Sequence, residues 1–277
     1  MTYPIVLAHG VCRFDVLWQD LLNVDNNDDP VLDDKHYFKG IRTMLMKKGY
    51  SVYHSNVRWA AGVEKRAGDL EKDIKEVLDR TKVKKVNIIA HSMGGLDARH
   101  MLFRSRNRSK IHERIASVTT IGTPHNGSPF ADWCLKNLYY IPPLLYKLGL
   151  DISAVNDLTT EACLAFNDRP AVKKFEQVYD NEIKFQTYAG KQDYFGVFTV
   201  LKEPYYIIEK AEGENDGLVA VESAKWKKEY FKGVIDNTDH LNELGWWDPS
   251  QILTGETPQM LLSRIHKLYA RIANSLP

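Results

Sequence analysis

A serine stands where a buried apolar run gives way to a helical pattern. The run 86–90 has the composition of a strand, and the segment 90–95, AHSMGG, follows it and leads into apolar residues at helical spacing. A serine on a sharp strand-to-helix turn projects above the carboxyl edge of a sheet, and the crowded turn requires small residues two positions before and after it. Ala90 and Gly94 meet that requirement around Ser92. The spacing therefore indicates that Ser92 is a nucleophile.

A serine nucleophile needs help from other groups. Its hydroxyl reacts poorly at neutral pH, so a histidine must take its proton and a carboxylate must orient that histidine. Backbone N–H groups must also stabilise the negative charge that develops on the carbonyl oxygen of the substrate. Residue types alone leave the partners open: the candidate bases are His125 and His240, and the candidate acids are Asp216, Asp236 and Asp239.

The segments that must position these residues alternate between short apolar runs and stretches of helical period. This alternation predicts an α/β fold, with a mostly parallel central sheet and helices on both faces. The segment 67–78 shows an apolar stripe at three-to-four spacing, and a last helix begins with Thr257 as its cap and Pro258 in its first turn. The predicted strands are 5–8, 51–57, 86–90, 116–121, 185–189 and 232–235, and 205–208 also has strand-like composition.

Composition excludes several classes of protein. The chain has 277 residues, of which 44% are hydrophobic and 26% charged, enough to bury a large core. The net charge of +1 provides no overall field for nucleic acid, which we do not expect as a partner. The three cysteines are too few and too scattered for a disulfide scaffold. A strand at 5–8 leaves no room for a secretory leader, so we expect a cytoplasmic protein, or a secreted one whose leader has been removed.

Several separated segments, in the same order along the chain, resemble the α/β-hydrolase superfamily, and more closely the bacterial triacylglycerol lipases. The resemblance covers most of the chain and implies a single α/β-hydrolase domain over residues 1–277. Segments in a shared order are more specific than the serine motif alone. They are 3–10 (YPIVLAHG), the serine motif, 119–128 (TTIGTPHNGS), 158–160 with 165–167, 214–219 (ENDGLV) and 239–242 (DHLN).

The resemblance selects among the candidate partners. In this superfamily the catalytic residues follow the chain order serine, acid, histidine, which Ser92, Asp216 and His240 obey. His125 precedes every candidate acid, and the match around Asp216 favours it over the other aspartates. The resemblance also assigns the oxyanion hole to the backbone N–H groups of Val11 and Met93. It implies no metal in the catalytic site.

Calcium is the one cofactor that the resemblance raises. Related bacterial lipases bind it through an aspartate two residues after the catalytic histidine, and here that position is Asn242. An amide oxygen is a weaker ligand for calcium than a carboxylate. We therefore expect no cofactor, and calcium dependence stays open at this point.

Apolar residues become dense between Ser128 and Asn167. Next to a predicted lipase-like site, this density predicts a helical cap or lid at about 129–180, which could contact a lipid interface. The resulting hypothesis is a serine hydrolase, a lipase or esterase, that cleaves acylglycerols or other lipid-like esters of apolar acyl groups through an acyl-serine intermediate. The alternatives are a thioesterase, amidase or acyltransferase with the same triad, or a hydrolase-fold binding protein without catalysis.

Overall fold

The computed structural model describes residues 2–11, 33–137 and 152–277. Within them, parallel pairing joins six strands into one sheet in the order β2-β1-β3-β4-β5-β6. The strands are β1 Ile5–Ala8, β2 Val52–His54, β3 Val86–His91, β4 Ile115–Ile121, β5 Lys184–Gly190 and β6 Phe231–Ile235. The helices are α1 Ile41–Lys47, α2 Val63–Thr81, α3 Met93–Ser105, α4 Pro129–Lys136, α5 Ile152–Asp157, α6 Thr160–Asn167, α7 Pro170–Tyr179, α8 Lys202–Glu212, α9 Val221–Ala224 and α10 Pro258–Asn274, with short 3₁₀ turns between some of them.

The sheet is buried on both faces, and the alternation of side chains along each strand divides the core in two. From β1, Val6 packs in the cluster beneath α2 and α3, whereas Ile5 and Leu7 pack in the cluster beneath α1 and α10. This is why the strands read as nearly continuous apolar runs in the sequence. The α/β architecture predicted from the alternation of elements is confirmed.

One predicted element is wrong. Residues 205–208 have strand-like composition but lie inside α8. Tyr205 and Ile208, three residues apart, are buried, while Tyr206 between them is exposed, which is the pattern of a helix. A run of four apolar residues is too short for its period to distinguish a strand from a buried turn of helix.

Parallel pairing brings the carboxyl ends of all the strands to one edge of the sheet. β3 ends at His91, directly before Ser92, and β5 and β6 end at Gly190 and Ile235. The loops that carry Asp216 and His240 follow these two strands in the chain. In open α/β sheets this edge is where ligands bind, so the topology alone directs the three residues to one place.

Four described helices, α4 to α7, lie in the chain between β4 and β5, within the predicted cap at 129–180. Part of that prediction, residues 138–151, lies outside the described residues, and its role as a lid stays a prediction. Among the described helices none combines the length and apolar character needed to cross a membrane.

Candidate active site

Ser92 occupies a strained backbone position between β3 and α3. Its φ is 54° and its ψ is −134°, a conformation that residues other than glycine rarely adopt. Backbone contacts hold it there: its N–H donates to the carbonyl oxygen of Ile121 at 3.0 Å, and the Thr123 hydroxyl donates to the carbonyl oxygen of Ser92 at 2.7 Å. Ser92 is thus fixed through its main chain, and its hydroxyl is not needed to hold the turn.

The small residues of the motif permit close approach of two backbones. A Cβ added at Gly94 would lie 2.5 Å from the carbonyl oxygen of Ala8, and one added at Gly10 would lie 2.6 Å from the Cβ of Ser92. Contacts this short are not available to other residues. The loop after β1 therefore packs directly on the serine turn, which is the physical reason for the glycines in both segments.

Asp216 and His240 form a directly bonded pair. The Nδ1 of His240 lies 2.8 Å from Asp216 Oδ2, and the backbone N–H of His240 donates to the carbonyl oxygen of Asp216, also at 2.8 Å. The other carboxylate oxygen, Oδ1, accepts from the backbone N–H groups of Leu218 and Val219 at 2.8 and 2.7 Å. Both oxygens of Asp216 are thus engaged, and the Nε2 side of the His240 ring is left for a second partner.

Ser92 and His240 line the same cleft, whose volume is about 40 Å³. Val11 lines it too, next to the region 12–32 that the structure does not describe. Met93 is the first residue of α3, where backbone N–H groups have no acceptor within the helix. The remaining wall is mostly apolar and comes from the loop after β4, from α4 and α5, and from the Asp216 loop: Pro124, Ser128, Phe130, Ala131, Cys134, Val155, Leu158, Leu218 and Val219.

Buried polar groups anchor the His9–Gly10 peptide unit, just before Val11, at both its carbonyl and its N–H side. The guanidinium of Arg66, which is fully buried, donates to the carbonyl oxygen of His9 at 2.9 Å and pairs with Asp97 at 2.7 Å. On the other side, the N–H of Gly10 donates to the hydroxyl of Tyr37 at 3.1 Å. These bonds fix the main chain of the loop, on which the direction of the Val11 N–H depends.

A second buried carboxyl lies beneath the pair. Glu243 Oε2 lies 2.9 Å from His91 Nε2 and 3.8 Å from His240 Nδ1, and the other nitrogen of His91 lies 2.7 Å from the Tyr37 hydroxyl. Glu243 is a site residue that the sequence did not indicate, and its only signal was its position three residues after His240. These atoms are close enough for a cation to bridge His91, His240 and Glu243, but the His91–Glu243 and His240–Asp216 bonds already use them.

Burial disfavours charge on both His91 and Glu243. Burial lowers the pKa of His91 well below its usual value and raises the pKa of Glu243 well above its own, because neither group can be charged cheaply without water. Both shifts favour the uncharged forms, in which a carboxylic acid faces a neutral imidazole. The hydrogen bond between them links Tyr37 to the region under His240 without placing a second negative charge there.

Because burial favours the uncharged acid at Glu243, Glu243→Gln should retain kcat/KM for ester substrates within about twofold, since the amide keeps the shape of the acid and one donor toward His91. Glu243→Leu is the contrasting variant. It leaves His91 Nε2 unpaired and should lower the free energy of unfolding by about 1–3 kcal/mol. Steady-state kinetics and denaturant unfolding measure both variants. A tenfold or greater loss in Glu243→Gln would mean that the carboxyl is ionised in the working protein.

The other candidate base, His125, and the other candidate acids, Asp236 and Asp239, do not take part in the Asp216–His240 pair. His125 is fully buried, its Nε2 lies 2.9 Å from the Thr120 hydroxyl and its ring stacks on Trp226, and burial lowers its pKa well below the usual value. Asp236 is exposed to solvent. Asp239 is buried, and its Oδ1 accepts from the backbone N–H groups of the residues on the far side of His240 in the chain. The structure brings Asp216, and neither other aspartate, into hydrogen-bonding contact with the His240 ring.

A family model described as the alpha/beta hydrolase fold matches residues 4–162 of the chain. That match includes the first strand, the serine turn and the first part of the helical insertion. It agrees with the parallel sheet and the position of Ser92 at its carboxyl edge.

Individual proteins are also similar to the chain. Triacylglycerol lipase 2 of Saccharomyces cerevisiae is 29% identical over 275 residues, covering 88% of this chain and 80% of that protein. A triacylglycerol lipase of Pseudarthrobacter phenanthrenivorans is 36% identical over 134 residues, which are 47% of this chain and 36% of that protein. Among solved structures, Bacillus licheniformis lipase BlEst2 in its mature form superposes with a TM-score of 0.63 at 24% identity, covering 87% of this chain and 85% of that one. The structural likeness supports the fold.

Proposed function

Because the chain belongs to the α/β-hydrolase fold family, we propose that it is a lipase- or esterase-type hydrolase that cleaves carboxylic esters of apolar acyl groups through an acyl-Ser92 intermediate. The observation that carries the proposal is the bonded pair of Asp216 and His240 beside the cleft that Ser92 also lines. The relatives named as triacylglycerol lipases support the same class of reaction.

In the proposed reaction, Ser92 Oγ attacks the ester carbonyl carbon while His240 Nε2 accepts the hydroxyl proton. The carboxylate of Asp216 accepts a hydrogen bond from Nδ1–H and stabilises the imidazolium. The tetrahedral intermediate then collapses, and the alcohol leaves with the proton from Nε2. A water molecule gives a proton to His240 and attacks the acyl-serine, after which the carboxylic acid departs and the Ser92 hydroxyl is restored.

Two backbone N–H groups would stabilise the oxyanion, those of Val11 and Met93. Met93 begins α3, where the helix dipole adds to the attraction for negative charge. Val11 follows the loop that Arg66 and Tyr37 anchor. Donors held in place before the reaction need no rearrangement when charge develops, and losing one such donor typically costs about 10²–10³ in kcat.

The wall of the cleft supports the proposed substrate class. Apart from the reacting residues it is largely apolar, with α4 and α5 of the predicted cap contributing Phe130, Ala131 and Val155. Such a wall suits an acyl chain. We therefore propose acylglycerols or other lipid-like esters as substrates, with the cap at 129–180 covering the acyl chain and reaching a lipid interface. No organic cofactor takes part in this scheme.

A substrate panel tests the proposal. Esters of increasing acyl length are compared with the matching amides and thioesters, each below and above its solubility limit. We expect hydrolysis of esters with apolar acyl chains, and a rise in rate on aggregation if the cap opens at an interface. Faster cleavage of amides or thioesters would assign the triad to an amidase or thioesterase, and absence of turnover on the whole panel would favour a binding protein.

Ala131→Phe tests whether the apolar wall binds the acyl chain. Ala131 is buried against the cleft, and a phenyl ring there would occupy space the chain needs. We expect kcat/KM for an octanoyl ester to fall about tenfold or more relative to an acetyl ester, since each lost methylene contact changes discrimination severalfold. Ala165→Phe, on the exposed side of α6, is the matched control and should leave the ratio unchanged. An equal loss on both esters would place the acyl chain elsewhere.

A further inference from the structure

The loop that carries His240 is tied to the segment after it by two amide side chains. Asn242 Oδ1 accepts from Gln251 Nε2 at 2.9 Å, and Asn242 Nδ2 donates to Gln251 Oε1 at 3.1 Å. The two amides thus pair head to tail. Asn242 is fully buried and Gln251 is 3% exposed, so water cannot take the place of either partner.

Gln251 Nε2 lies among three oxygen atoms from two other parts of the chain, the His240 loop and the turn at Gly196. Besides Asn242 Oδ1, it donates to the carbonyl oxygen of Gly196 at 2.6 Å and lies 3.4 Å from Asp239 Oδ2. The same Asp239 oxygen accepts from the backbone N–H of Phe198 at 2.8 Å. One amide nitrogen therefore joins the His240 loop, the turn at Gly196 and the segment 249–254.

This donor set does not fit a calcium ion. Calcium requires six to eight oxygen ligands at about 2.3–2.6 Å. Here an N–H group occupies the space between the oxygens, and Asn242 Nδ2 also points a donor at the carbonyl oxygen of Trp246 at 2.9 Å. A cation would be repelled by both amide nitrogens, and it would have to displace Gln251 from its bonds.

We propose that the Gln251 amide is a positioning residue that holds the His240 loop by hydrogen bonds alone and makes ester hydrolysis independent of calcium. His240 stands between Asp239 and Asn242, and both residues bond to Gln251 or lie beside its nitrogen. A shift of the loop would move the imidazole relative to Ser92. This inference rests on the proposed function for its effect on catalysis but not for its effect on thermal stability.

The test compares the wild-type chain with Gln251→Glu, each in EDTA and in millimolar calcium. The wild type should show the same kcat and Tm in both. In EDTA, Gln251→Glu places a carboxylate among three oxygens and should displace the His240 loop, so kcat should fall about tenfold or more. KM should stay within about twofold, because the acyl cleft is unchanged. Tm should fall as well. Calcium should restore both, because the carboxylate adds its two oxygens to the three already there and water molecules can supply the remaining ligands.

Gln259→Glu is the matched control, since Gln259 is exposed on α10 and its substitution should change neither kcat nor Tm in either buffer. The inference is overturned if EDTA lowers the Tm or kcat of the wild type, if Gln251→Glu keeps full kcat and Tm in EDTA, or if calcium fails to restore the variant. Failure of the proposed function would appear differently, as a wild type without ester turnover. The Tm measurements would then still test whether Gln251 holds the His240 loop.

Discussion

Replacing Ser92 by alanine is expected to lower kcat for ester hydrolysis by about 10⁶-fold, the size of effect seen when the nucleophile of a catalytic triad is removed. The fold should be unaffected, because the turn is held by the backbone N–H and carbonyl oxygen of Ser92 rather than by its hydroxyl. Steady-state kinetics on a soluble ester, together with a thermal unfolding curve, measure both expectations.

Ser55→Ala is the control for this substitution. Ser55 is as deeply buried as Ser92 but lies after β2, outside the cleft, so its loss should leave kcat unchanged. If Ser92→Ala retained more than a small fraction of wild-type kcat, the nucleophile would have to be a different group or a water molecule.

Asp216→Asn should lower kcat by about 10⁴-fold, as is found when the acid of a triad becomes an amide. The asparagine can keep the two hydrogen bonds that Leu218 and Val219 donate, so the loop should stay folded. Its amide nitrogen, however, then faces His240 Nδ1. Two donors cannot pair, and the imidazole is driven into the tautomer whose Nε2 carries a proton and cannot accept one from Ser92.

Asn is a sharper replacement than Ala at this position, because Glu243 lies 3.8 Å from the same His240 nitrogen and a vacated site would let the ring turn toward it. Asp236→Asn is the matched control: this aspartate is exposed and precedes His240 by four residues. Kinetics on the same ester compare the two variants. A small effect of Asp216→Asn with a large effect of Asp236→Asn would reverse the assignment of the acid.

Local chemistry explains why the sheet and the serine turn were predictable. A strand buried on both faces leaves a continuous apolar run, and the turn after β3 needs small residues because Gly94 lies against the carbonyl oxygen of Ala8. Both signals are contained in neighbouring residues. Resemblance selected the pairing of Asp216 with His240, and in the structure their side chains lie 2.8 Å apart.

The residues that sequence reasoning missed depend on contacts between distant parts of the chain. Glu243 belongs to the site only because the fold places it against His91, which lies 152 positions earlier in the chain. Nothing in the sequence distinguishes Gln251 from the other polar residues. Its role depends on the turn at Gly196, which the fold places against its side chain. No local pattern of residue types encodes such contacts. The prediction of a strand at 205–208 was wrong for a related reason, because tertiary packing and not composition decides the structure of so short a run.

The most direct measurement of the central claim is covalent labelling with a fluorophosphonate, which reacts with a serine only when a neighbouring base activates it. The protein is titrated with the reagent, residual ester turnover is followed, and the modified peptide is identified by mass spectrometry. The account predicts one adduct per chain, on Ser92, with turnover lost in proportion to labelling, and no labelling when His240 is replaced by alanine. Turnover that persisted with Ser92 fully modified, or an adduct formed on another residue, would contradict it.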